Sequence, residues 1–166
     1  MFFYQKKTNS KNDSNSLHSL GNRVQVSLQL GQQVFETSCL PCHQATGSGV
    51  PFQYPPLVNS EWVLTQGPHL EEHLILIVLH GLQGPIAVQG IVYNGYMAGL
   101  GEHLSDAEIA SVLSYIRMEW GSVRKPVTLE KVAAVRQYAP ARVQPWLWCE
   151  LQEKLSSKKW KQRTNK

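Results

Sequence analysis

Between Val24 and Ile116 the chain contains no lysine and no arginine. A folded surface without cations has no electrostatic footprint for phosphate, so nucleic-acid binding by this stretch is excluded. The formal net charge of +4 is therefore misleading. Residues 1–23 hold four Lys/Arg against one Asp, and residues 152–166 hold six against one Glu. Residues 24–151 are left with six basic and ten acidic side chains. Long apolar runs are also missing. Glu72 and His73 interrupt the best stretch, which ends at Leu79, and a membrane helix needs about 18 apolar residues. No transmembrane segment is expected. Cysteine is scarce: Cys39, Cys42 and Cys149 are an odd, low count that excludes a disulfide-stapled scaffold. What remains is 166 residues at 42% hydrophobic and 17% charged, which suits one globular domain with appendages.

Residues 5–23 are rich in Lys, Asn and Ser, with almost nothing to bury, and read as a disordered basic segment, 1–23. An export signal needs an apolar stretch of roughly 7–15 residues. Phe2, Phe3 and Tyr4 run straight into Lys6 and Lys7, so none is expected at this start. From Val24 the pattern turns helical, with Val24, Leu28, Gly31, Val34 and Phe35 on one face leading into Cys39. Gly47 to Leu57, with Pro51, Pro55 and Pro56, reads as a loop. Ser60 should cap a short helix through Trp62 and Leu64, and Pro68 should open a longer one to His80, stopped by Gly81. Residues 81–101 hold six of the 12 glycines, within which Ile86 to Tyr93 could form a small hairpin turning near Gln89-Gly90. Ser105-Asp106-Ala107-Glu108 is a capping box for a second long helix, and Thr128 should start a shorter one. The expected organisation is a core unit over 24–122 and an extension over 123–166, in an all-α fold with one glycine-rich loop.

The chemistry lies in Cys39-Leu40-Pro41-Cys42-His43. Two thiols three residues apart, with an imidazole directly after, match the attachment site of a c-type haem. One helical turn presents both sulfurs to neighbouring vinyl groups, and the adjoining His43 can then ligate the iron. A zinc half-site would need a second Cys/His pair at matching spacing, and no other cysteine lies near. A redox dithiol wants a βαβ context, which is absent. For the sixth ligand, a lone Met is ordinarily core filler. Met97, however, sits on a glycine-rich segment where backbone can approach a flat cofactor closely. His80 and His103 are the rivals, and both read as solvated helix-end residues, with His80 suited as a cation to a C-terminus. Cys149 reads as a plain buried or half-buried thiol.

Over residues 24–120 the sequence resembles the class I monohaem cytochrome c family. Gly31 and Phe35 stand eight and four residues before Cys39, as in that family's first helix. The resemblance implies that Gly31 lets this helix cross the last one closely, at Val112 and Tyr115. It implies that the Pro55 carbonyl accepts the imidazole N–H of His43, that Leu57 packs on the haem, and that Met97, in Tyr93-Asn94-Gly95-Tyr96-Met97, is the distal ligand. The segments Ser60-Glu61-Trp62-Val63 and Gly84-Pro85-Ile86 look similar to cytochromes serving bacterial periplasmic dehydrogenases or fused to copper nitrite reductases. In one departure, Ala98 stands where the family has Pro after the ligand Met, which removes a rigid support.

The expected function is one-electron transfer through a single covalent haem c, held by Cys39 and Cys42 and ligated by His43 and Met97. Leu57, Trp62, Ile77, Val92 and Tyr115 are the expected lining, and Pro55 and Tyr93 complete the cofactor-binding set. An electron carrier transforms nothing and is not an enzyme. Its partner would be a redox protein (a dehydrogenase, reductase or oxidase), and haem attachment implies the periplasm. Two other readings stay open. The chain could be the electron-entry module of a larger dehydrogenase or reductase, with Trp146, Trp148 and Trp160 as docking surface or as packing. It could also be an open-site haem protein, peroxidase-like or gas-binding, if Met97 is displaced.

Overall fold

The computed structural model describes residues 28–64, 70–122, 125–139, 141–157 and 160; the 1–23 segment, Val24 and Pro68 lie outside them. Helix α1 is described over 28–43, with Gly31, Val34 and Phe35 on its buried face. Its last turns are uneven. Phe35–Cys39 is wound as a π-turn, closed by the Leu40 N–H on the Phe35 carbonyl, and Leu40–His43 returns to α. Such a turn inserts a residue and re-aims the side chains beyond it, here the cysteine pair.

Helix α2, Glu61–Leu64, starts at the buried Ser60, whose Oγ accepts the Trp62 N–H at 3.2 Å. Helix α3, Leu70–His80, buries Ile75 through Leu79. It stops because Gly81 takes φ +84°, a turn that L side chains rarely adopt, and a Cβ there would lie 2.3 Å from the Met97 carbonyl oxygen. Helix α4, Asp106–Glu119, carries the expected capping box: Ser105 Oγ accepts the Glu108 N–H, and the Ser105 N–H donates to Glu108 Oε2 at 2.8 Å. Helix α5, Leu129–Tyr138, is capped by Thr128, and α6 spans Trp148–Ser156. Helix α1 crosses α4 at Gly31, where a Cβ would sit 2.2 Å from the Ser111 carbonyl oxygen and 2.8 Å from Tyr115 Cβ. The closest approach is to Ser111 and Tyr115, and Val112 packs beside it in one apolar cluster with Val34 and Phe35.

The all-α expectation is wrong. Strands β1, Gly81–Val88, and β2, Ile91–Ala98, pair antiparallel over their whole length, and β3, Trp146–Leu147, adds to β1 in parallel. The hairpin does turn at Gln89-Gly90, but it is twice as long as the alternating core Ile86 to Tyr93 suggests. Gly81, Gly84, Gly95 and Pro85 read as loop residues because they weaken a strand taken alone. In the folded chain Pro85 is simply paired opposite Asn94 within the ladder.

One continuous core joins the early and late parts of the chain. Val127, Val132, Val135, Trp146, Leu151, Leu155 and Trp160 pack with Ile75, Leu76, Ile109 and Leu113. At its centre Glu72, with no exposed surface, accepts from Lys131 Nζ and from Trp160 Nε1–H. No helix among the described residues is long and apolar enough to cross a membrane.

Candidate functional site

A cavity of about 350 Å³ opens between α1, the loop after it, α3, α4 and the hairpin. Cys39, Cys42, His43, Pro55, Leu57, Trp62, Tyr93 and Met97 all line it. They arrive from four directions. The end of α1 supplies the thiols and His43, and the loop supplies Pro55 and Leu57. Helix α2 supplies Trp62, and β2 supplies Tyr93 and Met97. The loop is pinned by its own backbone: the Gly47 carbonyl accepts from Leu57 N–H at 2.7 Å, and Gly49 N–H donates to the His43 carbonyl at 2.9 Å.

His43 is held in one orientation, its Nδ1–H donating to the Pro55 carbonyl at 3.0 Å. Burial lowers its pKa below the usual value, against the opposing pull of that bond, so the ring is neutral at pH 7. With Nδ1 committed, Nε2 is the nitrogen left to ligate a metal. Cys39 and Cys42 are free thiols. Burial first, and then Cys42 beside it, push the Cys39 thiol up to about 11. No group of three or more His, Cys, Asp or Glu side chains that could hold a metal ion occurs among the described residues, so a zinc site has no further ligands here.

Strand parity decides the hairpin's contribution. Residues paired across the ladder share a face, so Leu82 with Met97 and Ile86 with Tyr93 all line the cavity. Tyr93 is 4% exposed, whereas its neighbour Val92 is 62% exposed on the opposite face. Val92 is therefore not part of the lining. Tyr115 is not either: its ring packs against Phe35 and Trp120. Ile77, Leu57 and Trp62 are in place. The Trp62 indole N–H donates to the Ala87 carbonyl at 3.0 Å, and its ring stacks on Trp148 at 4.3 Å.

The rival histidines lie elsewhere. His103 is exposed. His80 is half-buried against Trp146 rather than solvated, and its pKa is lowered by burial and by Arg142 and Arg136, so it is not the helix-end cation expected. Cys149 is exposed, contrary to expectation. Reasoning along the sequence missed Leu74, Val63 and Leu82 in the lining. Alternation extended outward from Tyr93 and Ile86 would have found Leu82.

The cavity's chemistry fits one kind of occupant. Its walls are almost wholly apolar, with two thiols on one side, a fixed neutral imidazole beside them and a thioether from the hairpin. A flat, greasy macrocycle carrying a metal at its centre needs those groups.

Comparison with known proteins agrees. The family model for cytochrome c matches residues 28–120. Cytochrome c-552 of Thermus thermophilus is 41% identical over 103 residues, covering 59% of this chain and 78% of that protein. The cytochrome c subunit of the quinone alcohol dehydrogenase of Gluconobacter oxydans is 32% identical over 95 residues, 55% of this chain and 18% of the subunit. The cytochrome c subunit of the gluconate 2-dehydrogenase of Pantoea cypripedii is 31% identical over 142 residues, 81% of this chain and 31% of the subunit. The chain belongs to the cytochrome c family and transfers electrons through covalently bound haem c.

Proposed function

We propose that Cys39 and Cys42 would carry the two covalent links to the haem, that His43 Nε2 and Met97 Sδ would ligate its iron, and that Pro55, Leu57, Trp62 and Tyr93 would hold it between them. The observation that carries this reading is the His43–Pro55 bond at 3.0 Å, in a cavity that Met97 also lines. Haem c, when bound, supplies an iron that gains and loses one electron. The chain's residues do the rest. Pro55 fixes the ring of His43 and raises its basicity. Met97 donates through a soft thioether that favours the reduced state. Leu57, Val63, Ile77, Leu113 and Ile116 exclude water, so the extra charge of the oxidised state is poorly solvated and the potential rises. With His43 and Met97 both committed to the iron, the protein would leave no position for a substrate, and the chain acts as a carrier rather than an enzyme.

The partner is a redox protein outside the cytoplasm, in the periplasm, since covalent haem c attachment takes place there in bacteria. The two dehydrogenase subunits favour a specific form of this: the chain receives its electron from a dehydrogenase. The exposed residues of the cavity lining, Gln53, Gly95, Tyr96 and Ala98, are uncharged, and the chain neighbour of Gln53, Phe52, is 76% exposed. An uncharged rim suits a partner that presents an apolar patch.

The test is spectroscopic. Met97→Ala should keep the haem through acid–acetone washing, lose the far-red ferric band of sulfur ligation, bind carbon monoxide and drop in potential. Cys39→Ala with Cys42→Ala should release all pigment into the wash. An unchanged ferric spectrum in Met97→Ala would remove Met97 from the ligand set.

A further inference from the structure

Met97 sits on a stretch with little stiffness of its own: Ala98, Gly99 and Gly101 come directly after it. Two later parts of the chain grip it from either side. On the hairpin side Met97 pairs with Leu82, and Leu82 pairs with Trp146 of β3. Trp146 is 3% exposed and is covered by the Arg142 guanidinium 3.7 Å above its ring. Gln83, next to Leu82, donates to the Pro145 carbonyl at 3.4 Å.

On the far side Arg136 of α5 reaches the segment C-terminal to Met97. Its Nη1 donates to the Gly101 carbonyl at 2.6 Å, its Nη2 to the Leu104 carbonyl at 2.9 Å and its Nε to Asp106 Oδ1 at 2.6 Å. The planar fork of Arg suits this spread of acceptors, and a Lys could satisfy only part of it. Both grips come from beyond residue 120, where the match to the family model stops.

We propose that Arg136 and Trp146 are positioning residues for Met97, holding its thioether against the haem from outside the segment that binds the haem. The inference rests on Met97 being the axial ligand. Removing either grip loosens the 97–104 segment before the rest of the fold gives way, leaving the Leu100 and Gly101 N–H bonds to the Val78 and Leu79 carbonyls as its remaining backbone ties to α3. The population with Met97 withdrawn then rises, since each lost charge-assisted bond weakens the closed state.

The experiment uses the full-length holoprotein and reads the far-red ferric band, carbon monoxide uptake by the ferrous form, and far-UV circular dichroism on heating. In Arg136→Met the band should weaken well below the temperature of global unfolding, and carbon monoxide uptake should rise about tenfold. Arg136→Lys should fall between that variant and wild type. Trp146→Phe should retain the band that Trp146→Ala loses. If Trp146→Ala fails to accumulate, the Arg136 pair decides alone. Lys154→Met, whose ammonium lies over the Trp160 ring, should change neither the far-red band nor carbon monoxide uptake at ambient temperature. Should Arg136→Met lose global stability with its band and uptake rate within twofold of wild type, the grip is merely structural and the proposal is overturned. A far-red band that survives Met97→Ala would instead overturn the ligand reading, and the two failures are thus separable.

Discussion

Single side chains set the acid limit of the fold. His80 is half-buried against the Trp146 ring, with Arg142 and Arg136 facing it, and burial together with these two cations lowers its folded pKa below the usual 6.5. Between the unfolded value and that lower one, the unfolded chain holds more protons than the folded chain, so stability falls as pH drops. Urea midpoints should therefore decrease from pH 7.5 to pH 5, and His80→Gln should flatten the decrease. An equal slope in the variant would assign the acid sensitivity to other groups. His43 also has a pKa lowered by burial, and the proposed bond from its Nε2 to iron would remove it from that titration.

At the scale of elements, helix crossings and strand parity dominate. Gly31 lets α1 and α4 approach so closely that Gly31→Ala has nowhere to put its methyl group, the Ser111 carbonyl lying 2.2 Å away. The backbones must separate, costing about 1–3 kcal/mol. Denaturant titration of the holoprotein should register it, whereas no loss would mean that the crossing relaxes freely. Local signals were legible from sequence: the Cys39 to His43 turn, the Ser60, Ser105 and Thr128 caps, and, through family spacing, the reach of His43 to Pro55. The full hairpin was not, because its glycines and Pro85 weaken every local strand score while the ladder and the β3 neighbour decide the outcome. Val92 was misplaced by one residue, which in a strand means the opposite face. Arg136 and Trp146 act across long separations, to which periodicity and spacing are blind.

Over the described residues, unbalanced charge is sparser than the sequence suggests. Of the seven carboxylates between Val24 and Ile116, Glu71 is matched by Arg117, Glu72 by Lys131 and Asp106 by Arg136. Fewer unbalanced charges then remain to steer an encounter at a cavity whose lining holds no Asp, Glu, Lys or Arg. Electron transfer to the chain's own partner should then vary less than about tenfold between low and physiological salt. Stopped-flow oxidation across an ionic-strength series, with and without residues 1–23 and 161–166, which leaves the core residues Leu155 and Trp160 in place, measures this. A steep fall that disappears on deletion would assign steering to the basic ends, and one that persists would remove apolar docking.

Glu72 ties the breathing of the molecule together. Its carboxylate is held by Lys131 of α5 and by Trp160, so opening either segment alone leaves a buried charge without one of its donors. Partial unlocking is thereby penalised, and helices far apart in sequence become one cooperative unit. Native-state hydrogen exchange should give the slowest amides of α3, α5 and α6 a common opening free energy and a common urea dependence. In Glu72→Gln the three should separate, with α6 exchanging first.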